Sequence, residues 1–383
     1  MWFVPHLLIA IVGIGYTIVA AVLVGRFAAT PPAPAVDARP VTLLKPLHGA
    51  EPRLADNLAS CLAQDWAAPI EMVAGVQRPD DPAIAVATAL RPPVRLVVDA
   101  TRHGANAKIG NLINMMPAAS HDLIVLSDSD IAVPRDYLAQ VAAALAVPGV
   151  GAVTCLYRGR GDAGLWSDLA AMAISYNFLP SVLVARAIGT HEPCMGSTIA
   201  LDRATLDRIG GFARFADTLA DDAAIGAAVN ALGLHVACPR PIVVHGCTEP
   251  SLAALLRHEL RWAVTVRGVD PAGYVGLIVT YPVAWALLAL PFAVQLRSLA
   301  PVAPVVATGV LAAAIAARLL LMRRVDRLAH APGGSLRWLV PRDCLSFVVF
   351  ILSFFVRSVD WRGARLKMGS DGRTIRPQGV ETL

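Results

Sequence analysis

Four short clusters in this sequence have residue types and spacing that can do chemistry. The first is Leu126-Ser127-Asp128-Ser129-Asp130, which follows an apolar run. Two carboxylates two residues apart, just past a strand end, can both face a ligand crevice. There they can hold a hard divalent cation, Mg²⁺ or Mn²⁺, whose remaining oxygen ligands come from phosphates. The plainer reading is a solvated turn with Asp130 capping the next helix. Asp80-Asp81-Pro82 follows a second apolar run and can accept hydrogen bonds from a base or ribose. Its competitor is a helix N-cap with proline in the first turn. Asp221-Asp222 stands where a helix should begin. A carboxylate there can deprotonate an acceptor hydroxyl, or simply cap the helix. Last comes His258-Glu259-Leu260-Arg261-Trp262, just before a long apolar run. Its arginine can grip a diphosphate through paired hydrogen bonds and its tryptophan can wall an acceptor pocket. Trp and Arg also anchor helices at membrane surfaces.

These clusters need elements to position them. Between Val41 and about Arg267, short β-branched runs alternate with helical stretches. The strands expected are 41–46, 70–76, 94–98, 122–128 and 149–155, with helices such as 52–64 and 136–146 between them. Such runs are typical of buried parallel strands with right-handed crossovers. The expectation is an α/β domain whose ligand sits beyond the carboxyl ends of the strands.

Composition adds a membrane. Hydrophobic residues make up 56% of the 383 and charged residues only 16%, against about 25% in soluble domains. Mean hydropathy is +0.58. The run from Trp2 to Val24 is long enough to cross about 30 Å of hydrocarbon, lacks a small-residue cleavage site and reads as an uncleaved anchor. Residues 26–40 are Pro/Ala-rich and read as a linker. Tyr274–Leu296 and Leu299–Met322 are long enough to span. In 338–356, Arg342 and Asp343 leave thirteen uncharged residues, a length that suits an interfacial or re-entrant segment. Ala170–Ala187 is apolar but interrupted by Asn177, Pro180 and Arg186, and suits a buried or membrane-surface helix. The net charge of +5 is concentrated in arginines beside apolar runs, a positive-inside pattern that puts the α/β domain and the basic 358–383 tail in the cytosol. No nucleic-acid-binding motif accompanies those arginines, so nucleic acid is not expected as a partner. Six scattered cysteines without a CxxC pair support neither a zinc site nor a disulfide framework.

The order Asp-Asp, Asp-Ser-Asp, Asp-Asp, Arg-Trp before a membrane span resembles the inverting, membrane-bound family 2-like glycosyltransferases with a GT-A fold. The nearest resemblance is to the ceramide glucosyltransferase family, family 21, including its bacterial hopanoid-biosynthesis-associated members. It rests on Leu44-Lys45-Pro46-Leu47-His48-Gly49, Asn57-Leu58, Gln64-Asp65, Asp80-Asp81-Pro82-Ala83, Asn106 to Leu112, the Asp-Ser-Asp, Gly210-Gly211-Phe212, Leu219-Ala220-Asp221-Asp222 and Arg261-Trp262. The stretch from Ser353 to Gly363 adds to it. The resemblance implies a Rossmann-like mixed sheet over 41–268, a membrane anchor over 1–25 and a membrane region over 269–357. It implies that Asp81 or Asp80 contacts the nucleotide, that Asp128 and Asp130 hold the divalent cation, and that Asp222 is the general base. Arg261 and Trp262 close the (Q/R)xxRW motif, where His258 departs from Gln or Arg, and Lys108 would meet the diphosphate. His245 can add a metal ligand or serve as a structural histidine.

By that resemblance the protein is a hexosyltransferase of the inner membrane of a bacterium, moving one sugar from UDP-N-acetylglucosamine or UDP-glucose to a hopanoid such as bacteriohopanetetrol. Ceramide is the alternative acceptor. A processive polysaccharide synthase would need more spans for its channel. A non-catalytic scaffold would be expected to lack at least one of Asp128, Asp222 and Arg261, and all three are present.

Overall fold

The computed structural model describes residues 2–189 and 192–356, with the backbone of 358–361, 364–368 and 374–375. In chain order, the long helix α1 (Phe3–Ala29) is followed by an irregular stretch, then β1 (Val41–Pro46), α2 (Leu54–Leu62), β2 (Ile70–Val76), α3 (Ala83–Ala89), β3 (Arg95–Val98), α4 (Ala107–Met115) and β4 (Leu123–Leu126). Next come β5 (Ile131–Ala132), α5 (Tyr137–Leu145), β6 (Val150–Val153), β7 (Tyr157–Gly161), α6 (Leu165–Ala173) and α7 (Leu179–Ala187), the last two joined by a π-helical turn over Ile174–Phe178. β8 (Ile199–Asp202), α8 (Arg203–Arg208), α9 (Asp221–Asn230), β9 (His235–Ala237) and β10 (Val243–Cys247) complete the α/β part. Helices α10 (Leu252–Val269), α11 (Pro271–Gly276), α12 (Pro282–Gln295), α13 (Ala303–Leu328) and α14 (Leu339–Ser353) lead to three short strands, β11 (Ser358–Trp361), β12 (Ala364–Met368) and β13 (Thr374–Ile375), where a basic tail was expected.

A seven-stranded sheet in the order β3-β2-β1-β4-β8-β6-β9 forms the centre. The first four strands run parallel, β8 is antiparallel to both β4 and β6, and β9 returns parallel to β6. The sheet is therefore mixed. Alternation fills both of its faces: Val41, Leu43, Met72, Ala74 and Val125 lie in one core, and Leu44, Val73, Ile124 and Leu126 in the other. A smaller sheet, β5-β10-β7, sits beside the end of β4.

The reversal at β8 shapes the site. Because Leu126 pairs with Ile199, the end of β4 and the start of β8 lie side by side. The loops on those ends, 127–130 and 193–198, are consequently neighbours.

Three helices are long and apolar enough to cross a membrane: Phe3–Ala29, the continuous stretch Leu165–Ala187, and Ala303–Leu328. The second is more than half buried within the protein, packing on β7 and on α10. The expected straight span over 274–296 is instead broken, with a 60° bend between its two halves. Pro282 is the cause. The residue before a proline is pushed out of the helical region, and Tyr281 sits at φ −115°, ψ 55°. The third long helix starts at Ala303, with Pro304 in its first turn, and extends beyond Met322 through Arg323, Arg324 and Arg327. In α14 the two charges that interrupt the apolar run are both buried. Asp343 receives both arms of the Arg318 guanidinium at 2.7 Å, and Arg342 donates to Glu259 at 2.7 Å.

Candidate active site

The turn after β4 is fixed from three sides. Lys45, buried at the end of β1, donates to Ser127 Oγ at 2.9 Å and to the Asp128 carbonyl at 3.1 Å. Asn57 on α2 donates to the Ser129 carbonyl at 3.2 Å, and Ser129 Oγ donates to Glu51 at 2.8 Å. A strand, β5, follows Asp130, so this aspartate does not cap a helix. Both Asp128 and Asp130 line a cleft of about 1470 Å³ at the carboxyl ends of the parallel strands, the place a parallel sheet offers a ligand.

Asp221 and Asp222 reach the same cleft from the first turn of α9, where the helix dipole favours negative charge. The bridge between the two pairs is Lys108, on the first turn of α4: its Nζ lies 2.7 Å from Asp128 and 3.4 Å from Asp221. Burial works against the Lys108 ammonium, but the carboxylates of Asp128, Asp221 and Asp222 outweigh it and hold the pKa well above the usual lysine value. Asn106 caps α4 by accepting from Ile109 N–H at 3.1 Å. Its amide also donates to Asp221 at 3.2 Å, which ties that helix to the third pair.

Asp222 makes its own contacts. It accepts from Gly196 N–H at 3.0 Å and from Ala223 N–H at 2.8 Å. Burial first, and then the Asp221 charge, pushes its carboxyl up to about 6, against the pull of Lys108. Gly196 also accepts from Asp128 N–H at 3.4 Å. A Cβ at this glycine would stand 2.7 Å from Asp128 Oδ2, so any other residue here would displace that carboxylate.

Asp80 and Asp81 separate in role. Asp81 is buried, accepting at 2.9 Å from both Gly49 N–H and Ala83 N–H. It joins the loop after β1 to the start of α3, as the capping reading anticipates. Asp80 stands at the rim of the cleft, paired with Arg78.

The opposite wall is α10. Its cleft-lining residues His258, Arg261, Trp262, Thr265, Val266 and Val269 recur at helical spacing, on one face. Trp262 packs edge-on against Phe178 in the π-turn, with centroids 6.0 Å apart, and against His245 and His258 at 6.2 and 5.5 Å. Beyond this cluster Val182 and Ala185 of α7 and Val266 and Val269 of α10 give the cleft an apolar stretch, with Arg186 and Asp270 next to it in the lining.

A divalent cation fits here. Asp130 Oδ1 is buried without a hydrogen-bond partner, while Oδ2 lies 3.4 Å from His245 Nε2. Among the described residues no three His, Cys, Asp or Glu side chains are grouped to hold a metal by themselves, so a cation would take further oxygens from a bound phosphate.

Gly196, Tyr157 and Glu249 carried no sequence expectation, and Lys45 entered only as part of the Leu44–Gly49 resemblance. A lysine next to the end of a buried, mostly apolar strand was a readable signal. Tyr157, stacked on His245 at 5.6 Å, carried none. Arg357, Arg362, Arg365, Lys367, Arg373 and Arg376, on which the basic tail was read, lie outside the described side chains.

A model of glycosyl transferase family 21 matches residues 6–374. Among solved structures, a mannosyltransferase from Pyrobaculum calidifontis in complex with GDP-Man and Mn²⁺ aligns with a TM-score of 0.52 at 20% identity, covering 93% of this chain and 99% of that one. Residues 1–349 of S. aureus TarS align at a TM-score of 0.36 and 15% identity, covering 89% and 99%. Glucosyl-3-phosphoglycerate synthase from Mycobacterium tuberculosis, in complex with phosphoglyceric acid, gives 0.40 and 16%, covering 64% and 82%. The first likeness shows the mixed-sheet GT-A-like fold.

Proposed function

From the premise that this chain belongs to glycosyl transferase family 21, we propose that it transfers one sugar, with inversion, from a UDP-sugar to the hydroxyl of a membrane lipid. The observation that carries the lipid acceptor is the shape of the cleft. It joins the carboxylates of Asp128, Asp130 and Asp222 to an apolar wall of Phe178, Val182, Val266 and Val269, on helices continuous with or packed against the long apolar ones. A polar acceptor would have no use for that wall. The family resemblance points to a hopanoid polyol as the acceptor, with UDP-N-acetylglucosamine or UDP-glucose as donor. The catalytic domain, 41–268, would face the cytosol of a bacterium.

Each residue then has a task. Asp80, at the rim, faces the nucleotide, and Asp81 holds the loop beneath it. Asp128 and Asp130 hold the divalent cation, Mg²⁺ or Mn²⁺, which supplies positive charge against the donor diphosphate. The Mn²⁺ in the complex of the Pyrobaculum mannosyltransferase with GDP-Man is in keeping with use of a divalent cation. Lys108 keeps Asp128 and Asp221 together, so that Asp222 is held beside the donor site. Asp222 takes the proton of the lipid hydroxyl as its oxygen bonds to C1. The C1–O bond to the diphosphate breaks on the far side, and its electron pair leaves with the diphosphate. Arg261 stabilises that departing charge, and Trp262 walls the acceptor. A carboxyl raised to about 6 by burial suits a base that works near neutral pH.

The test offers UDP-glucose and UDP-N-acetylglucosamine to purified protein in detergent with Mn²⁺ or Mg²⁺. Bacteriohopanetetrol and ceramide serve as acceptors, and products are read by mass spectrometry. One added sugar is expected on one lipid. Asp222→Asn should lower the rate by about 10²–10⁴-fold while leaving UDP binding intact. A ladder of sugars would replace this reading with a processive synthase, and no product from any pair would overturn it for these lipids.

A further inference from the structure

His258 stands in the cleft wall one helical turn before Trp262, and its Nδ1 is bound to Glu249 Oε1. Glu249 is buried, lines the same cleft, and lies just after β10. A carboxylate only accepts hydrogen bonds, so the proton of this contact belongs to Nδ1. The ring is thereby fixed in orientation, with its edge on Trp262, and Nε2 is left as the nitrogen available to the cleft. In the imidazolium form both nitrogens donate. Glu249 takes one of those hydrogen bonds, and an anionic ligand can take the other. The carboxyl of Glu249 is itself suited to staying ionised. Although burial raises it, the hydrogen bond and charge of His258 bring it below the usual range. A buried carboxylate behind a histidine is a general device for setting ring orientation and tautomer.

We propose that Glu249 is a positioning residue that holds His258 with Nε2–H directed at the diphosphate of the nucleotide, so that the Glu249–His258 pair acts as one unit in binding the departing UDP. This rests on the UDP-sugar reading above. Neither residue need touch the transferred sugar.

The two side chains acting as one unit is a claim about coupling, and a double-mutant cycle measures coupling. UDP binding in the presence of Mn²⁺ would be measured by calorimetry on the full-length protein in detergent. The four proteins are the wild type, Glu249→Gln, His258→Gln and the double variant. Glutamine at 249 keeps the shape and can still accept from Nδ1–H, but it carries no charge to stand against an imidazolium. Glu249→Gln is expected to weaken UDP binding roughly tenfold, the scale of one charge-assisted hydrogen bond. In the His258→Gln background the same change should do little, because a neutral amide has no need of the carboxylate. Thermal unfolding of each variant reports whether it is folded. Equal losses in both backgrounds, or no loss in either, would overturn the inference while leaving the UDP reading in place. Failure of the folded wild type to bind UDP would overturn the UDP reading and this inference with it.

Discussion

At the scale of single residues, Gly196 joins the second and third carboxylate pairs, giving its N–H to Asp222 and its carbonyl to Asp128. Gly196→Ala places a methyl group 2.7 Å from Asp128 Oδ2, closer than any real contact. The carboxylate must swing aside, and a rise in KM for the UDP-sugar of at least about tenfold is expected, since one displaced charged contact is worth that much. Steady-state kinetics with the donor varied would check it. Asp222 supplies a pH signature. Its carboxyl must be ionised to accept a proton, and the ionised fraction falls as pH drops through about 6, so kcat/KM should decline on the acid side of that value and level off above it. Asp221→Asn removes a like charge beside Asp222 and leaves Lys108 to pull on it more strongly. Both effects should move the acid limb of the profile to lower pH, and a limb that stays put would mean another group sets it. Asp128, Asp130, Asp222, Arg261 and Trp262, which line one cleft, could be singled out in the sequence by their types and local spacing. Gly196 and Glu249 could not, since their parts exist only once β8 and β10 bring distant loops together. Lys108 could be singled out from its motif, but its ammonium stands between Asp128 and Asp221, a bridge invisible in a linear motif.

At the scale of elements, β1, β2, β3, β4 and β6 were readable from their apolar runs, and the start of α9 from Asp221 and Asp222, which stand in its first turn. The antiparallel β8 was missed because the four residues Ile199–Asp202 make too short a run to stand out. The apolar helices were harder to read, because apolarity measures length but not path. Pro282 bends one run, and the charges that interrupt others are used inside the fold. Arg318, within α13, donates to both oxygens of Asp343, to the Tyr176 carbonyl at 2.9 Å and to the Asn177 side chain at 2.5 Å. Tyr176 in turn donates to Asp326 at 2.7 Å. The network thus holds the π-turn, and with it Phe178 beside Trp262. Arg318→Leu strands Asp343 in a buried site and should destabilise the protein by about 3–5 kcal/mol, read as a lower midpoint of unfolding in detergent. Arg318→Leu with Asp343→Leu should recover much of that loss, because the pair is then replaced by apolar contacts.

At the scale of the whole molecule, the α/β domain and the apolar helices share a core. Ala20, Ala21 and Val24 of α1 and Leu321, Val325 and Leu328 of α13 belong to the same buried cluster as Val41, Leu43 and Val125 of the sheet. Tyr16 on α1 donates to Ser181 on α7 at 3.1 Å. The outward face of α1 leaves Val4, Leu8, Ile11, Val12 and Val19 exposed, more contiguous apolar surface than water tolerates. The protein is therefore expected to sediment with membranes and to stay there through alkaline carbonate extraction, a treatment that would release it if the helices only rested on the surface. The packing of α1 against α12 and α13 carries a consequence for how the protein is made. The helix that emerges early from the ribosome finds these partners only after the whole sheet and its crossovers have been synthesised. Until then the part of its inward face that packs on α12, with Gly13 against Pro282, has no protein to meet. Loss of α13 through a late stop codon should therefore both open the shared core and leave α1 an orphaned helix, a natural substrate for quality-control proteolysis.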